Sequence, residues 1–400
     1  MSRLARRAGL GPATGIDRVE RAYLDVLLAR DAPLFGLIRT VPGYVALDRV
    51  ALSDFRSRLD TGDWAPSDWT RHLAPRADPT RLRVEATMRA QAFDRAVRFG
   101  VRRIVNRALP SGLLYLNTGH ANLTYRTLGS LRRGGQNAVA VLVHDTIPLD
   151  HPDTQRPGMS AGFHRRMRAV SFRADAMIAS TDAVAADAAR HLGRMGRVPP
   201  ILTVPFGITR SVPTARTVPP ERPYWVTVGT IDERKGIPFL LDLWDSLGSD
   251  PPPLLLLGRR GWCRPDTHRR LDSLPANGPV QEIGGLADGD VAALVAGAMG
   301  CLQPSMAEGF GFPLYEALAH GTPVIARDLP AYASLKGQQN IYLGDADLYW
   351  WKKVVEQIAQ NDRKIRNQTG LEAPEFPTWE THVNLVLERL ADTILSRGKS

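Results

Sequence analysis

The sequence predicts an α/β fold made of two Rossmann-like, doubly wound domains that face each other across a cleft. Short apolar runs alternate with helical patterns, which indicates parallel sheets covered by helices on both faces. This alternation stops at a proline-rich connector, residues 212–223, and then begins again. A chain of 400 residues is long enough for two domains of this kind.

The first predicted domain covers residues 1–212. An amphipathic helix over residues 15–30 opens it. A long basic amphipathic segment follows at residues 81–109, and its arginines around an apolar stripe make it a candidate membrane-surface helix. A long helix packed on its own domain is the alternative. The predicted strands are residues 34–39, 44–47, 113–116, 138–143 and 176–179.

The second predicted domain covers residues 213–378. We expect residues 379–400 to form an amphipathic C-terminal helix that packs back toward the first domain. Helices are also predicted at residues 237–247 and 313–320. The predicted strands are residues 224–228, 254–257, 280–283, 300–303 and 323–326.

Charge is distributed unevenly along the chain. Residues 1–212 hold 32 arginines against 18 acids, which gives +14, and residues 213–400 carry −4, so that the sum is the net charge of +10. A basic first domain suggests an anionic partner, although solvated surface arginines would give the same count. No apolar run reaches the length of a membrane-spanning helix, and no secretory leader or cysteine framework is visible, so we expect a cytoplasmic protein.

The most informative segment is residues 304–326, in which two carboxylates flank a glycine-rich turn. Glu308 precedes the turn and Glu316 follows it. The turn lies at a predicted helix N-terminus, which favours phosphate or a hydroxyl-rich ligand, and carboxylates there can accept hydrogen bonds from sugar hydroxyls. A tight strand–helix turn with two surface glutamates is the alternative. The turn consists of Gly309, Phe310, Gly311 and Phe312.

A second candidate cluster follows the first strand of the second domain, in the run GTIDERKG. Arg234 and Lys235 lie just before a predicted helix, after Gly229 and Thr230. A cationic pair at the carboxyl end of a strand can neutralise a diphosphate, above all one that gains charge as it leaves. A solvent-exposed basic pair in a loop is the alternative.

Three residues of the first domain are further candidates. His120 and His144 follow neighbouring strands, where a histidine can donate to a phosphate or a sugar hydroxyl. Gly15 opens the first helix in a second small-residue turn.

The acidic pairs at residues 288/290 and 345/347 do not follow strands as a nucleotide–metal site would need, so we expect no metal.

These motifs together resemble the retaining, sugar-nucleotide-dependent glycosyltransferases of family four, the group 1 glycosyltransferases, which have the GT-B fold. The specific part is EGFGFPLYEALAHGTPVI with its two glutamates eight positions apart, and VGTIDERKG and LGRRGW support it. In the first domain, TGIDRVERAY, NTGHANLT and VHDTIPLDHP are similar to the family's usual series, so the resemblance covers nearly the whole chain.

The resemblance implies a role for each candidate. Four catalytic residues are implied: Glu308 at the donor-sugar hydroxyls, His144 against the transferred sugar, and Lys235 with Arg234 at the departing diphosphate. The implied donor-binding residues are Gly15, His120, Gly229, Thr230, Gly309, Phe310, Gly311, Phe312 and Glu316, the last at the ribose hydroxyls.

Two features depart from the family pattern. Thr230 stands where the family often has an arginine, so Arg234 would supply that charge. The family normally begins with a strand before its first glycine loop, but residues 2–13 do not have the pattern of a strand. Either that strand is short or missing, or translation starts upstream.

The resemblance implies front-face transfer with retention and without a metal, in which the leaving phosphate takes the acceptor proton. The implied partners are a nucleotide-diphosphate sugar as co-substrate, GDP-hexose before UDP-hexose, and a growing polysaccharide or lipid-linked oligosaccharide as acceptor, as in lipopolysaccharide or capsule synthesis. No other cofactor is implied, and peripheral contact with the inner face of the cytoplasmic membrane is expected.

Two other functions remain open. A sugar-nucleotide epimerase shares this architecture but would not need the Arg–Lys pair and the two glutamates in this arrangement. A basic scaffold or nucleic-acid-binding protein on a degenerate GT-B fold is the non-enzymatic alternative. Aromatic residues interleaved with basic ones are sparse in the first domain, which argues against nucleic acid.

Overall fold

A computed structural model describes residues 1–11, 13–214, 216–338, 341–367 and 374–397, and only the backbone of residues 361–367 and 395–397. The chain divides into two compact units. Unit 1 consists of residues 1–144, 161–206 and 379–400, and unit 2 of residues 145–160 and 207–378. Ala215 of the predicted connector, residues 368–373 of the predicted second domain and residues 398–400 of the predicted C-terminal helix lie outside the described residues.

Unit 1 opens with two helices, α1 (Ser2–Arg7) and α2 (Gly15–Leu28). Thr14 and Asp17 cap α2 reciprocally, since each side chain accepts a hydrogen bond from the other residue's backbone N–H. The predicted helix at residues 15–30 is therefore present. Residues 2–7, where the family would have its first strand, are helical in this chain.

The next strands form an antiparallel sheet rather than the parallel one that the alternation predicted. Its strands β1 (Gly36–Arg39), β2 (Gly43–Leu47) and β3 (Asp94–Val97) are arranged in the order β1-β2-β3. Only residues 40–42 connect β1 to β2, and a connection this short permits a hairpin but no crossover.

The prediction of one long segment over residues 81–109 is wrong. The region forms α4 (Pro79–Gln91), then β3, then α5 (Val101–Ala108). At Ala92 the backbone turns to an extended conformation, which ends α4, and the residues that follow pair with β2. Val101, Ile104 and Val105 form a buried apolar face on α5, whereas residues 84–89 of α4 are all buried, polar ones included.

The remaining strands of unit 1 form a parallel sheet in the order β4-β5-β6-β7. The C-terminal helix α15 (Trp379–Arg397) packs in the same unit, where His382 contacts the hydroxyl of Tyr23 at 2.9 Å. The other strands and helices of unit 1 are β4 (Leu114–Asn117), β5 (Ala138–Val143), β6 (Ala176–Ala179), β7 (Ile201–Thr203), α3 (Arg49–Thr61), α6 (Tyr125–Leu131), α8 (Met159–Arg173) and α9 (Asp182–Met195).

Unit 2 contains α7 (Ile147–Asp150) and a six-stranded parallel sheet in the order β10-β9-β8-β11-β12-β13. Its strands are β8 (Trp225–Val228), β9 (Leu254–Leu257), β10 (Val280–Ile283), β11 (Gly300–Gln303), β12 (Val324–Arg327) and β13 (Ile341–Gly344). Its other helices are α10 (Ile237–Ser246), α11 (Pro265–Asp272), α12 (Asp288–Gly297), α13 (Phe312–Ala319) and α14 (Leu348–Asn367).

The order of the strands in unit 2 reverses next to β8. The chain adds β9 and β10 on one side of β8, and then returns to add β11, β12 and β13 on the other. Fully buried Trp225, Trp244 and Trp351 belong to the core of this unit. The predicted class, α/β with two Rossmann-like domains, is confirmed. No helix in the described part of the chain is long and apolar enough to cross a bilayer.

Candidate functional site

The candidate site of unit 2 lies where the strand order reverses. Strands β8 and β11 are hydrogen-bonded neighbours, and the side-chain amide of Gln303 donates to the carbonyl of Val228 at 3.3 Å. The loops that leave their carboxyl ends hold residues 229–236 and 304–311. Ligands of open α/β sheets bind at such a reversal point, outside the carboxyl ends of the strands.

The two loops are in direct contact because Gly236 has no side chain. Asp232 caps the short turn Glu233–Lys235, and Gly236 follows in the left-handed region at φ 72°. A Cβ at Gly236 would lie 2.4 Å from the carbonyl oxygen of Pro304. The backbone N–H of Met306 donates to the carbonyl of Arg234 at 2.8 Å, which closes the contact.

Across this contact, the predicted residues Arg234, Lys235 and Glu308 come together. The Lys235 ammonium lies 2.6 Å from Glu308 Oε1, and the Arg234 guanidinium lies 3.3 Å from Glu308 Oε2. Arg234 also donates to the carbonyl of Ala307 at 2.7 Å. The side chains are 11%, 9% and 19% exposed for Lys235, Glu308 and Arg234, so the charges interact in a partly dry environment.

The two cations decide the ionisation of Glu308. Burial by itself would raise the pKa of this carboxyl, but Lys235 and Arg234 outweigh burial and lower the pKa to about 2. Burial likewise opposes the charge of Arg234, while Glu308, Asp232 and Asp145 raise the pKa of its guanidinium above the ordinary value. Glu308 is therefore a carboxylate at neutral pH and accepts hydrogen bonds without donating any.

The glycine-rich turn of residues 309–312 leads into α13. Gly311 has a left-handed φ of 89°, and a Cβ there would lie 2.5 Å from the ring of Tyr332. The Phe310 ring stacks on Tyr315 with centroids 4.4 Å apart, which fixes the turn on the helix. Glu316 lies on the second turn of α13, because the helix begins at Phe312.

Gly229 and Thr230 begin the other loop. Gly229 has a φ of 134°, and a Cβ there would lie 3.3 Å from Cε of Lys235. A side chain at this position would therefore press on the lysine that holds Glu308. Thr230 is exposed. A Cβ on Gly261 would lie 2.5 Å from the methyl group of Thr230.

Asp145 is a member of this site that the sequence reasoning missed. It belongs to unit 2 and accepts a hydrogen bond from the backbone N–H of Ile147 at 3.2 Å. Burial raises the pKa of the Asp145 carboxyl, and the Arg234 guanidinium opposes that rise. Its position beside His144 in the run VHDTIP was visible, but no local pattern connects it to a loop nearly a hundred residues away.

The histidines lie together in unit 1. The rings of His120 and His144 are 5.0 Å apart. Nε2 of His144 lies 2.6 Å from the carbonyl of Thr118, and Nε2 of His120 lies 3.1 Å from the carbonyl of Leu142. A carbonyl only accepts, so Nε2 of His144 carries the proton. Nε2 of His120 also lies 3.4 Å from the backbone N–H of His144, which would donate to it.

Burial keeps both imidazoles neutral. It lowers the pKa of His144 to about 4, and that of His120 well below its usual value. His120 also has a left-handed backbone with φ 57°, which is uncommon for a residue other than glycine. Both rings are therefore uncharged at neutral pH, and the ring of His144 offers an unprotonated Nδ1.

Gly15 is exposed at the N-terminus of α2 in unit 1. Arg3 and Arg7 pair with Asp17 at 2.7 and 3.3 Å, so cations surround this helix start. Gly15, His120 and His144 belong to unit 1, and the other predicted site residues belong to unit 2.

Potential metal ligands do not cluster in the described ranges. No group of three or more His, Cys, Asp or Glu residues there could hold a metal ion. Asp288 and Asp290 lie in the first turn of α12, and Asp290 accepts a hydrogen bond from the Thr214 hydroxyl at 2.7 Å. This acidic pair has a structural role at a helix start.

The chain is similar in sequence to known mannosyltransferases. The family model described as glycosyl transferases group 1 matches residues 222–361. The serotype-specific mannosyltransferase WbdA of Escherichia coli is 25% identical over 284 residues, which are 66% of this chain and 34% of that protein. O-antigen chain mannosyltransferase B of Escherichia coli is 28% identical over 162 residues, 39% of this chain and 42% of that protein. The match to WbdA thus spans about a third of the length of that relative.

Solved structures share the fold. The Anabaena Alr3699/HepE structure in complex with UDP-glucose has a TM-score of 0.61 at 14% identity and covers 96% of this chain and 97% of its own. The sucrose-phosphate synthase of Thermosynechococcus elongatus has a TM-score of 0.52 at 19% identity, over 72% and 74% of the two chains. At these identities the likeness concerns the fold alone. The family model and the motifs assign residues 222–361 to the group 1 glycosyl transferases, and the solved structures show that the chain has the GT-B fold.

Proposed function

We propose that the protein is a retaining hexosyltransferase that moves a mannose-like hexose from a nucleotide-diphosphate sugar to a growing polysaccharide or lipid-linked oligosaccharide. The observation that carries this proposal is the cluster of Arg234, Lys235 and Glu308 at the reversal point of the unit 2 sheet. The cluster offers two cations for a diphosphate and one ionised carboxylate for sugar hydroxyls.

The donor diphosphate would compete with Glu308 for the two cations. Lys235 and Arg234 supply two positive charges at the site, although the acidic side chains of Asp232 and Glu308 lie beside them, so an incoming diphosphate would have to draw the cations away from these carboxylates. As the bond to the leaving phosphate breaks, its negative charge grows, and cations fixed beforehand stabilise that change most. Glu308, partly released, would then accept hydrogen bonds from the hexose.

The ionisation of Glu308 argues against two alternative roles. A carboxyl with a pKa of about 2 has no proton to donate at neutral pH. A carboxylate held by two cations is also a poor nucleophile, which does not suit a double-displacement mechanism. We therefore propose front-face attack: the acceptor oxygen bonds to the anomeric carbon, the bond from that carbon to the phosphate oxygen breaks, and the phosphate takes the acceptor proton.

We propose GDP-hexose as the donor and no metal in the transfer step. The relatives WbdA and O-antigen chain mannosyltransferase B are named as mannosyltransferases, which supports a mannose donor such as GDP-mannose. The Anabaena protein was solved in complex with UDP-glucose, so the UDP-sugar is the natural competitor. Arg234 and Lys235 would take the part that a divalent cation has in other transferases.

The acceptor proposal follows the same relatives. O-antigen chains are cell-surface polysaccharides, and we propose such a glycan or its lipid-linked precursor as the acceptor. We propose that the protein works in the cytoplasm, in peripheral contact with the inner face of the membrane. Exposed arginines of unit 1, such as Arg98 and Arg102, suit that anionic surface.

The test is donor consumption with and without acceptor. Full-length protein is incubated with GDP-mannose, UDP-glucose or ADP-glucose in chelator, and nucleoside diphosphate release is measured. The proposal expects release from GDP-mannose that acceptor glycan accelerates and chelator leaves unchanged. Release from none of the donors, or release that chelator abolishes, would contradict it. An epimerase would instead convert the sugar without releasing the diphosphate.

A further inference from the structure

One surface of unit 1 combines exposed aromatic side chains with arginines, and the candidate site uses none of these residues. It is built from the end of β3, the start of α5, the start of α6 and the end of α8. We call it the basic–aromatic surface. It consists of Val97, Arg98, Phe99, Arg102, Tyr125, Arg126, Phe172 and Arg173.

Ring and cation contacts link six of these residues. The Arg126 guanidinium lies 4.4 Å from the centre of the Phe99 ring, and Arg98 lies 5.8 Å from the same ring. Arg173 lies 5.6 Å from the Tyr125 ring, whose centre is 5.7 Å from that of Phe172. Cation–π pairs of this kind hold arginines and aromatic rings side by side at a surface.

A polar groove of about 730 Å³ runs through the patch. Arg102, Arg126, Arg133 and Arg173 line it, together with the hydroxyl of Ser130. Four guanidinium groups around one groove favour an anion with several oxygens, since each can donate two parallel hydrogen bonds to a phosphate.

The charges of the patch are not compensated by acids among the described residues. In the part of the chain that the structure describes, no carboxylate lies within 4.0 Å of Arg98, Arg102, Arg126 or Arg173. Elsewhere in the same unit arginines do find acids, as Arg89 does with Asp68 at 2.7 Å. The four arginines of this surface therefore carry positive charge that no acid among the described residues offsets at short range.

Two apolar side chains of the patch are largely exposed to solvent. Val97 is 73% exposed and Phe99 is 66% exposed, and they stand two positions apart. Aromatic side chains beside arginines are typical of surfaces that enter the headgroup region of a bilayer. A soluble polyanion would use the arginines and leave Val97 and Phe99 in water.

We infer that the basic–aromatic surface docks unit 1 on an anionic phospholipid bilayer. The arginines contact lipid phosphates in and around the groove, and Val97 and Phe99 enter the interface. This deepens the peripheral membrane contact of the proposed function, but it does not depend on sugar transfer, because vesicle binding needs neither donor nor acceptor.

The test is sedimentation of the full chain with vesicles, without nucleotide sugar. Phosphatidylcholine vesicles are compared with vesicles that contain about a third phosphatidylglycerol, and we expect binding to the anionic vesicles only. The double change Arg102→Gln and Arg126→Gln should weaken partitioning about 25-fold, since each arginine near such a surface contributes about fivefold. Phe99→Ser should weaken binding at high salt as well, because its contribution is apolar.

The matched control is Arg194→Gln with Arg216→Gln, which removes the same charge at exposed positions outside the patch and should bind like the unchanged protein. Thermal unfolding checks that each variant is folded. The inference is overturned if the control loses binding as strongly as the patch variant, or if anionic vesicles bind no better than neutral ones. It is also overturned if polyaspartate binds as tightly as vesicles and Phe99→Ser changes nothing, since the patch would then serve a soluble polyanion.

Discussion

Glu308 is held between two cations, and this pairing decides which roles its carboxylate can have. Lys235 and Arg234 approach its two oxygens separately, at 2.6 and 3.3 Å. If one cation turns to a second anion, Glu308 therefore still has the other cation as its partner. The sequence indicated these three residues as one functional group, but it did not indicate that they would pair with one another.

Replacing Lys235 tests the role of the cation pair. We expect Lys235→Ala to lower kcat/KM for donor consumption by roughly 100-fold, because one of two charges that stabilise the leaving diphosphate is lost. Steady-state kinetics measure this effect, and circular dichroism should report a native fold. Lys336→Ala is the matched control, since Lys336 also pairs with a carboxylate in unit 2, Asp328 at 2.7 Å. Equal activity in both variants would contradict the assignment.

The low pKa of Glu308 predicts a dependence of stability on pH. Its folded-state pKa of about 2 lies below the ordinary value of 4.5, so the ionised form is favoured by folding. This contribution is fully present above pH 4.5 and is lost as the pH falls toward 2. We expect Glu308→Gln to flatten the stability curve in that window by on the order of 2–3 kcal/mol. Urea unfolding at several pH values measures it, and parallel curves for the two proteins would contradict the pKa assignment.

At the level of elements, the carboxyl ends of β8 and β11 position the site. Their predicted ranges agree with the structure because short apolar runs bounded by Pro and Gly leave little freedom of register, as in Val226 or Leu302, both buried. Edge strands were harder to predict from the sequence. The edge strands β7 and β13, each half-buried along its length, were not predicted. The antiparallel strand β3 was hidden inside a basic helical pattern.

The turn before α13 allows a sharp test of backbone geometry. Gly311→Ala places a Cβ in a left-handed residue and 2.5 Å from the Tyr332 ring. We expect a loss of roughly 2 kcal/mol in the free energy of unfolding and weaker donor binding, because the turn must shift. Thermal unfolding and titration calorimetry measure the two effects.

Gly321→Ala is the control for that change. Gly321 has a similar φ of 73°, but a Cβ there would meet nothing within 4 Å. Its variant should show the backbone strain alone, a smaller loss of stability, and normal donor binding. If the two variants unfolded at the same temperature and bound donor equally well, the packing of Gly311 on Tyr332 would not matter to the site.

At the scale of the whole molecule, the sequence predicted the class and the two Rossmann-like domains because alternation of strands and helices is a long-range pattern that survives local errors. The site could be predicted only in part from the sequence. Motifs named Glu308 and Lys235, but Asp145 joins unit 2 through the path of the chain, which no local spacing reveals. The basic–aromatic surface likewise needs four elements to meet.

The net charge of the first domain is also a property of the whole molecule. The excess of +14 in residues 1–212 looked like a general property of the first domain. In the structure many of these arginines are paired, as Arg3 is with Asp17 and Arg81 with Glu85. The arginines of the basic–aromatic surface are among those that have no acid within 4.0 Å in the described part of the chain.

The central claim is that unit 2 binds a nucleotide-diphosphate sugar through Lys235, Arg234 and Glu308. The most direct measurement is thermal unfolding of the full chain with saturating GDP-mannose, UDP-glucose or no ligand, for the unchanged protein and Lys235→Ala. We predict that GDP-mannose raises the unfolding temperature of the unchanged protein by roughly 5 °C and that of Lys235→Ala by much less. No rise with either nucleotide sugar, or an equal rise in both proteins, would contradict the claim.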